Sequence, residues 1–360
     1  MARQLSLTAD CLPLYLKAMK TAFLFPGQGS QEVGMGHDLF QRSPEFKSLI
    51  RCASDYTHED CEKLCFHGPE KKLFKARFLQ PLLVAVSLGY FHCVKEQGIN
   101  ADVVLGHSLG EITSLGACGI VTHEEAVAIA AKRGELMDEA ASQCDGTMMA
   151  ILSFSAEKVH GLLGEMNAAD RIVFANDNAP NQIIVSGDKA TLKKFSEVIA
   201  RGKQGSCAML QIAGPWHSPF VQKAQTRFEQ WVQAAGIIFK KPETPLILNA
   251  TAREEQNTEE IKRRIIGQLT HPVFWRQSME ELKTRGIDTV LEIGPGRVLS
   301  GLVRANKFPR DTVIYNINNL RGLQRAVDGF AKTGGDIYTT GGGKYLSSRE
   351  KSDLSPSSSI

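Results

Sequence analysis

At 360 residues, 42% of them hydrophobic and 22% charged, the chain has the length of one large domain or two ordinary ones and can bury a sizeable core without staples. Its 42 basic and 39 acidic residues leave a formal charge of +3, too balanced for nucleic acid or a membrane surface to be the main partner. Eight cysteines, at 11, 52, 61, 65, 93, 118, 144 and 207, form no C-x-x-C pair and no histidine-rich metal spacing, which argues for free thiols in a reducing cytoplasm and against a metal site.

Residues 1–18 read as a leader, linker or upstream translation without order, because Met19-Lys20-Thr21 looks like a natural start directly before the first strand. The apolar stretch Cys11–Leu16 is too short for a secretory core, and no apolar run is expected to reach the roughly 18 residues of a spanning helix. Thr21–Phe25 is a strand candidate that runs into Pro26-Gly27-Gln28-Gly29-Ser30-Gln31, a loop in which backbone can approach a ligand closely. There Gln28 can aim its side chain and its N–H at an oxyanion. Residues 35–65 and 69–98 carry apolar residues at helical spacing and predict two helices.

Val103–Glu111 then reads as a β-branched run, G-x-S-x-G, and a helix start. This is the pattern of a nucleophile elbow, in which a sharp strand-to-helix turn lifts Ser108 to the top of a parallel sheet. Glycines on either side suit a turn too tight for a neighbouring Cβ. In a chain of 32 glycines the pattern alone is weak, so its context decides. Thr122-His123-Glu124-Glu125 is a capping box opening a helix to about Ala141. A lone arginine on such a helix is ordinarily a solvated residue, but Arg133 is followed by Gly134, a sign of another segment packed close.

From Thr147 the pattern changes. A strand (147–153), helix (155–166), strands 171–175 and 181–186 around the loop Asn176–Pro180, a helix (188–201) and a strand (207–212) give the ferredoxin-like order β-α-β-β-α-β. The expected organisation is an α/β-hydrolase-like large subdomain with a parallel sheet, from 19–146 and 214–330, and an inserted ferredoxin-like small subdomain, 147–213. After a helix at 218–235 come the strand 246–249, a basic helix 257–269, a helix to about 284, the strand 288–293, a last helix 298–306 and a closing strand 312–317. Residues 332–360 are rich in Gly, Ser and Lys without apolar period and read as a disordered tail.

An activated serine needs a base, and the base needs an orienting group. Of nine histidines, His217 is favoured, because Pro215 and Pro219 fix its loop at the subdomain junction. His107 is expected to point away from the serine and to pack or bond locally, with His123 and His271 structural or exposed.

Several motifs share one order: F-P-G-Q-G-S-Q at 25–31, G-H-S-L-G-E at 106–111, K-R-G-E-L-M at 132–137, N-x-P-x-Q at 178–182, W-H-S at 216–218, the asparagine of L-N-A at 249, Q-L-x-x-P-V-x-W at 268–275 and E-I-G-P-G-R-V-L at 292–299. In this, residues 20 to 318 resemble malonyl-CoA:acyl carrier protein transacylases and the acyltransferase domains of polyketide synthases. The resemblance implies an acyl-carrier-protein S-malonyltransferase. Ser108 attacks malonyl-CoA, His217 is general base, and the N–H groups of Gln28 and Leu109 form the oxyanion hole. The carbonyl of Gln268 stands where a triad acid would, in keeping with the lack of a marked triad carboxylate. Arg133 pairs with the malonyl carboxylate, and Met137, Trp216, Asn178 and Asn249 are implied along the substrate. The product is the malonyl thioester of a phosphopantetheinylated acyl carrier protein, and no cofactor or metal is implied. Trp216 stands where related domains carry Phe or Ser, and its bulk should fill the space of an α-methyl group. Lys262-Arg263-Arg264, or Arg297 with Arg304 and Lys307, would suit an acidic carrier protein. The chain is expected to be a cytoplasmic monomer. The chief alternative is an editing acyl hydrolase of the same fold, and Arg133 argues against it because such an enzyme would handle neutral acyl groups.

Overall fold

The computed structural model describes residues 19–202 and 205–332, so the expectations for residues 1–18 and for the tail beyond Lys332 lie outside the described residues. The strands, in chain order, are β1 (Thr21–Phe25), β2 (Val103–Gly106), β3 (Gly146–Leu152), β4 (Ile172–Ala179), β5 (Gln182–Asp188), β6 (Ser206–Met209), β7 (Leu246–Ile247), β8 (Glu254–Glu255), β9 (Thr289–Ile293) and β10 (Val313–Ile317). They form two sheets, one in the order β10-β9-β1-β2-β7-β8 and one in the order β4-β5-β3-β6.

In the larger sheet all pairings are parallel except β7 with β8. Such a sheet must be covered on both faces, and β1, β2 and β9 are buried at every residue. Period-two alternation divides their side chains. Phe23, Phe25 and Val104 pack into one core, whereas Ala22, Leu24, Val103 and Leu105 pack into another with Trp275 and Met279. Phe25 pairs with Gly106, so β1 and β2 end together and the loops after them, Gly27–Gln31 and the elbow, emerge side by side. The smaller sheet is antiparallel throughout and has the ferredoxin-like order. It has its own core, where Met149, Ile151 and Val185 meet Phe195 and Leu192 of the helix Lys189–Gly202.

Several expectations are corrected. The helix predicted over 35–65 is three, His37–Phe40, Pro44–Thr57 and Cys61–His67. Capping residues inside the apolar period break it: Ser43 accepts from Phe46 N–H ahead of Pro44, and Asp60 accepts from Lys63 N–H. Residues 69–98 divide into Glu70–Leu73 and the 21-residue Ala76–Glu96. By length and composition that last helix could cross a bilayer, contrary to the sequence expectation, and most of it is buried in the protein core. Polar Gln80 and Ser87 interrupt its apolar run in sequence, yet both are buried.

Asn176–Ala179 is strand, and only Pro180 of the expected loop lies in the turn to β5. β4 continues to Ala179 through two irregularities in its ladder with β5, because its outer edge is held by the large part of the chain. Val273 N–H donates to Ala175 O at 2.8 Å and Asp177 N–H to Val273 O at 3.0 Å. β6 stops at Met209, and β7 stops two residues before Asn249. The short strand β8 and the helix Leu320–Lys332 were not anticipated. That helix buries Leu323, Ala326 and Phe330, and its Gly322 obscures the period. A Cβ on Gly322 would lie 2.1 Å from Asn316 O, so the glycine serves close packing on β10.

Candidate active site

The elbow forms at the end of β2 for the reason its glycines suggest. A Cβ on Gly106 would meet the Gly110 backbone at 2.0 Å, and one on Gly110 would meet Phe25 O at 2.0 Å. Between them Ser108 adopts a left-handed φ of 50°, a conformation held by its surroundings. Its N–H donates to Asn249 Oδ1 at 2.7 Å, while Asn249 Nδ2 donates to Gly106 O at 2.6 Å, so one side-chain amide pins both ends of the turn. Asn249 is thus corrected from a substrate ligand to an anchor: it is buried, and both its polar ends are used by the elbow.

His217 comes from the chain's return to the large sheet. It too has a left-handed φ, 57°, held by Trp216 O accepting from Ser186 Oγ and Pro215 O accepting from Ser218 Oγ. Its Nε2 lies 2.8 Å from Ser108 Oγ. Its Nδ1 lies 3.0 Å from Gln268 O and 3.1 Å from His271 O, so two main-chain carbonyls orient the imidazole and fix the proton on Nδ1. The Gln268 carbonyl is where the sequence reading set it, and the His271 carbonyl is an addition. Burial, then the nearby positive Arg133, depress the His217 pKa to about 3, so the imidazole is neutral and Nε2 can accept a proton. No carboxylate touches it among the described residues.

His107 points away from Ser108, as anticipated, but its bonds are not local. Its Nε2 lies 2.8 Å from Asn178 Oδ1 on β4, and its ring meets Trp275 edge-on at 5.1 Å. Asn178 lines the cavity, with its amide engaged by His107 and its carbonyl accepting from Asn306 Nδ2 at 2.8 Å.

The serine and histidine open on a cavity of about 180 Å³ between the two sheets, also lined by Gln28, Leu109, Met137 and Trp216. The N–H groups of Gln28 and Leu109 have no hydrogen-bond partner among the described residues. Trp216 is nearly buried, and Gly214 leaves it room: a Cβ there would lie 2.4 Å from the indole. Wider hollows exist, such as one of about 840 Å³ beside Lys71 and Lys75, but it contains no nucleophile and base in contact.

Arg133 forms one wall. Its helix, His123–Gln143, opens with the predicted capping box, and Gly134 allows close approach as inferred, since a Cβ there would lie 2.3 Å from Ala76 O. The residue is 2% exposed. Nη1 donates to Gln80 Oε1 at 2.8 Å and to Met137 Sδ at 3.2 Å, and Nη2 donates to Gln268 Oε1 at 2.9 Å. Nε is unpaired, and no carboxylate forms an ion pair with the group among the described residues. Burial lowers its pKa to about 10, which leaves it charged at neutral pH. Its hydrogen bonds all go to neutral acceptors, and the Glu111 carboxylate acts on it only through space, an arrangement suited to an anion.

Sequence reasoning missed three side chains here: Gln80, the Gln268 amide and Glu111. Glu111 accepts from Asn249 N–H at 2.6 Å and from Gln268 Nε2, and burial raises its pKa to about 7. The available signal was Gln80 inside the apolar run of its helix, and Glu111 as the one charged residue of Gly110–Ala117. Of the basic groups, Arg263 and Arg264 both bond to Glu260, which neutralises part of that cluster in place. Arg297, Arg304 and Lys307 are exposed around the helix Val298–Ala305, whose Val298, Leu299 and Leu302 line the cavity.

A serine held on a left-handed elbow, bonded to a histidine at the carboxyl edge of a parallel sheet, has the geometry of the α/β folds that carry a nucleophile elbow. The chain belongs to the acyl transferase domain family, whose profile matches residues 22–317. It is 36% identical over 286 residues to the malonyl CoA-acyl carrier protein transacylase of Bacillus subtilis, covering 79% of this chain and 90% of the relative. The transacylase of that name from Coxiella burnetii superposes with a TM-score of 0.81 at 29% identity, over 87% of this chain and 98% of that one. A malonyl-transacylase solved in complex with its type II PKS acyl-carrier protein gives 0.80 at 30% identity, over 86% and 99%.

Proposed function

We propose that this protein moves a malonyl group from malonyl-CoA to the phosphopantetheine thiol of an acyl carrier protein, for fatty-acid or polyketide synthesis. The observation that carries this reading is Arg133, a buried cation without a carboxylate partner, beside the Ser108–His217 pair in one cavity. In the first half-reaction Ser108 Oγ attacks the thioester carbonyl as His217 Nε2 takes its proton. The C–S bond breaks, the same proton passes to the departing sulfur, and malonyl-Ser108 and free CoA thiol result. The second half-reaction runs in reverse with the carrier thiol. The unpaired N–H groups of Gln28 and Leu109 are available to the oxyanion in both, and such a donor is worth about 10²–10³ in rate.

Arg133 selects the acyl group. A carboxylate takes up two guanidinium donors at once, whereas a neutral acyl chain leaves the buried charge unpaired, a difference of about 1–3 kcal/mol. Trp216 narrows the cavity against an α-branched acyl group. Arg297, Arg304 and Lys307, exposed around the helix that lends Val298, Leu299 and Leu302 to the cavity, suit the acidic face of a carrier protein. The free thiols at 52, 61, 65, 93, 118, 144 and 207 suit the reducing cytoplasm.

The test is intact-protein and peptide mass after incubation with malonyl-CoA. One malonyl adduct on Ser108 is expected, discharged quickly by phosphopantetheinylated carrier protein and slowly by water. Discharge by water at an equal rate would favour the acyl hydrolase, and an adduct on another residue would overturn the assignment of Ser108.

A further inference from the structure

Glu111 lies in the first turn of the helix Gly110–Ala117 and is 2% exposed, and the two half-reactions give it no task. Its two oxygens meet donors from two separate segments. Oε1 accepts from the main-chain N–H of Asn249, and Oε2 accepts from Nε2 of Gln268. Gln268 Nε2 also donates to Ser108 O at 2.9 Å. A primary amide has one donor end and one acceptor end, so fixing the nitrogen fixes where the oxygen goes. Here Oε1 is left facing Arg133 Nη2 at 2.9 Å. Arginine only donates, so an amide turned the other way would set N–H against N–H and push the guanidinium off its place.

We propose that Glu111 is a positioning and specificity-determining residue: it locks the Gln268 amide with its oxygen toward Arg133, and so holds the guanidinium aimed at the carboxylate of the acyl group. This rests on the reading of Arg133 as the carboxylate ligand. The role is separable from the serine chemistry, because Gln268 serves His217 through its main-chain carbonyl, which does not turn with the side chain. A simple anchor for the fold would instead affect acids and neutral substrates alike.

The decisive variant is Glu111→Gln, which keeps the shape and converts one acceptor into a donor. The Asn249 N–H is fixed in the main chain and keeps the remaining oxygen, so the new NH₂ faces Gln268 and turns its amide over. The malonyl-to-acetyl ratio of kcat/KM should fall by about tenfold or more, chiefly through KM for malonyl-CoA. Modification of Ser108 by a neutral fluorophosphonate should stay within about threefold, since that reaction needs only the serine, base and oxyanion hole. Glu111→Asp, which keeps both acceptors, should recover part of the ratio. In an Arg133→Ala background, Glu111→Gln should leave the ratio where Arg133→Ala put it. If Glu111→Gln does not fold, Gln268→Leu carries the test, with the same fall in the ratio expected. An unchanged ratio, or equal losses for malonyl, acetyl and the fluorophosphonate, overturns the proposal. Retention of malonyl preference by Arg133→Ala alone would overturn the reading of Arg133 instead.

Discussion

Two arginines lie at the junction of the sheets and are treated in opposite ways. Arg276, on the helix Trp275–Thr284, makes three hydrogen bonds of 2.7 to 3.0 Å to the carboxylate of Asp177 on β4. That partner raises its pKa, and the side chain remains partly open to solvent. Arg133 is far more buried, has no carboxylate in hydrogen-bond contact among the described residues, and is depressed by burial, which the more distant Glu111 only partly opposes. Arg276 closes its own electrostatic account and clamps β4 to the large sheet. Arg133 leaves an imbalance beside Ser108, and under the proposed function the partner it lacks is the carboxylate of the acyl group. Between two superficially similar cations, the unsatisfied one marks the functional site.

The comparison breaks most sharply at Arg133→Ala. Loss of the buried cation on the cavity wall should lower kcat/KM for malonyl-CoA by about 10²–10³, with acetyl-CoA much less affected. Steady-state kinetics on both thioesters measure it, and parallel losses would show that Arg133 is merely structural. Arg133→Lys sharpens the point with a smaller effect, about tenfold on malonyl-CoA, because a compact ammonium keeps the charge and loses the planar fork. A loss as large as that of Arg133→Ala would show that charge without geometry counts for nothing here.

Arg276→Ala is the converse control. It should lower the free energy of unfolding by about 1 kcal/mol in urea titration, the scale of a well-bonded pair that is still partly solvated. The malonyl-to-acetyl ratio should not move. A shift in that ratio would mean that the position of β4, with Asn178 and His107, reaches the acyl pocket.

These contrasts also explain what could be read from the chain alone. Ser108 and His217 were legible because local sequence marks each one, with two glycines at the elbow and two prolines about the histidine, whereas Gly134 marked only close packing beside Arg133, whose role came from the resemblance. The ferredoxin-like order was legible because its elements are short and strongly periodic. What could not be read depends on long-range satisfaction. Asn249 looks like a ligand in sequence and is an anchor in space, since its partners, Gly106 and Ser108, are over 140 residues away. Asn176–Pro180 looks like a loop and is strand as far as Ala179, since Val273 completes the edge. Glu111 and Gln80 have meaning only once Gln268 and Arg133 arrive beside them.

The smallest effect concerns how the unpaired cation bears on the base. Burial and then Arg133 lower His217 to about 3, from an ordinary value of 6.5. The folded protein therefore resists protonation at this site, and the sign follows: as pH falls from about 6.5 toward 3, the unfolded chain binds a proton that the folded one refuses, and stability is lost across that window. Above 6.5 the group contributes nothing to the pH dependence of stability. In ¹⁵N spectra the His217 ring, identified by its absence in His217→Gln, should stay neutral from pH 8 to 5, where an unperturbed histidine would be mostly protonated. Arg133→Ala should raise that pKa without restoring it to 6.5, because burial is the larger cause. A malonyl carboxylate seated on Arg133 would cancel the same field, so the base should gain proton affinity when the correct acid binds. A His217 that titrates near 6.5 in the parent protein would break this link between selection and chemistry, and an unchanged titration in Arg133→Ala would show that the two arginines differ in partners but not in their reach to the base.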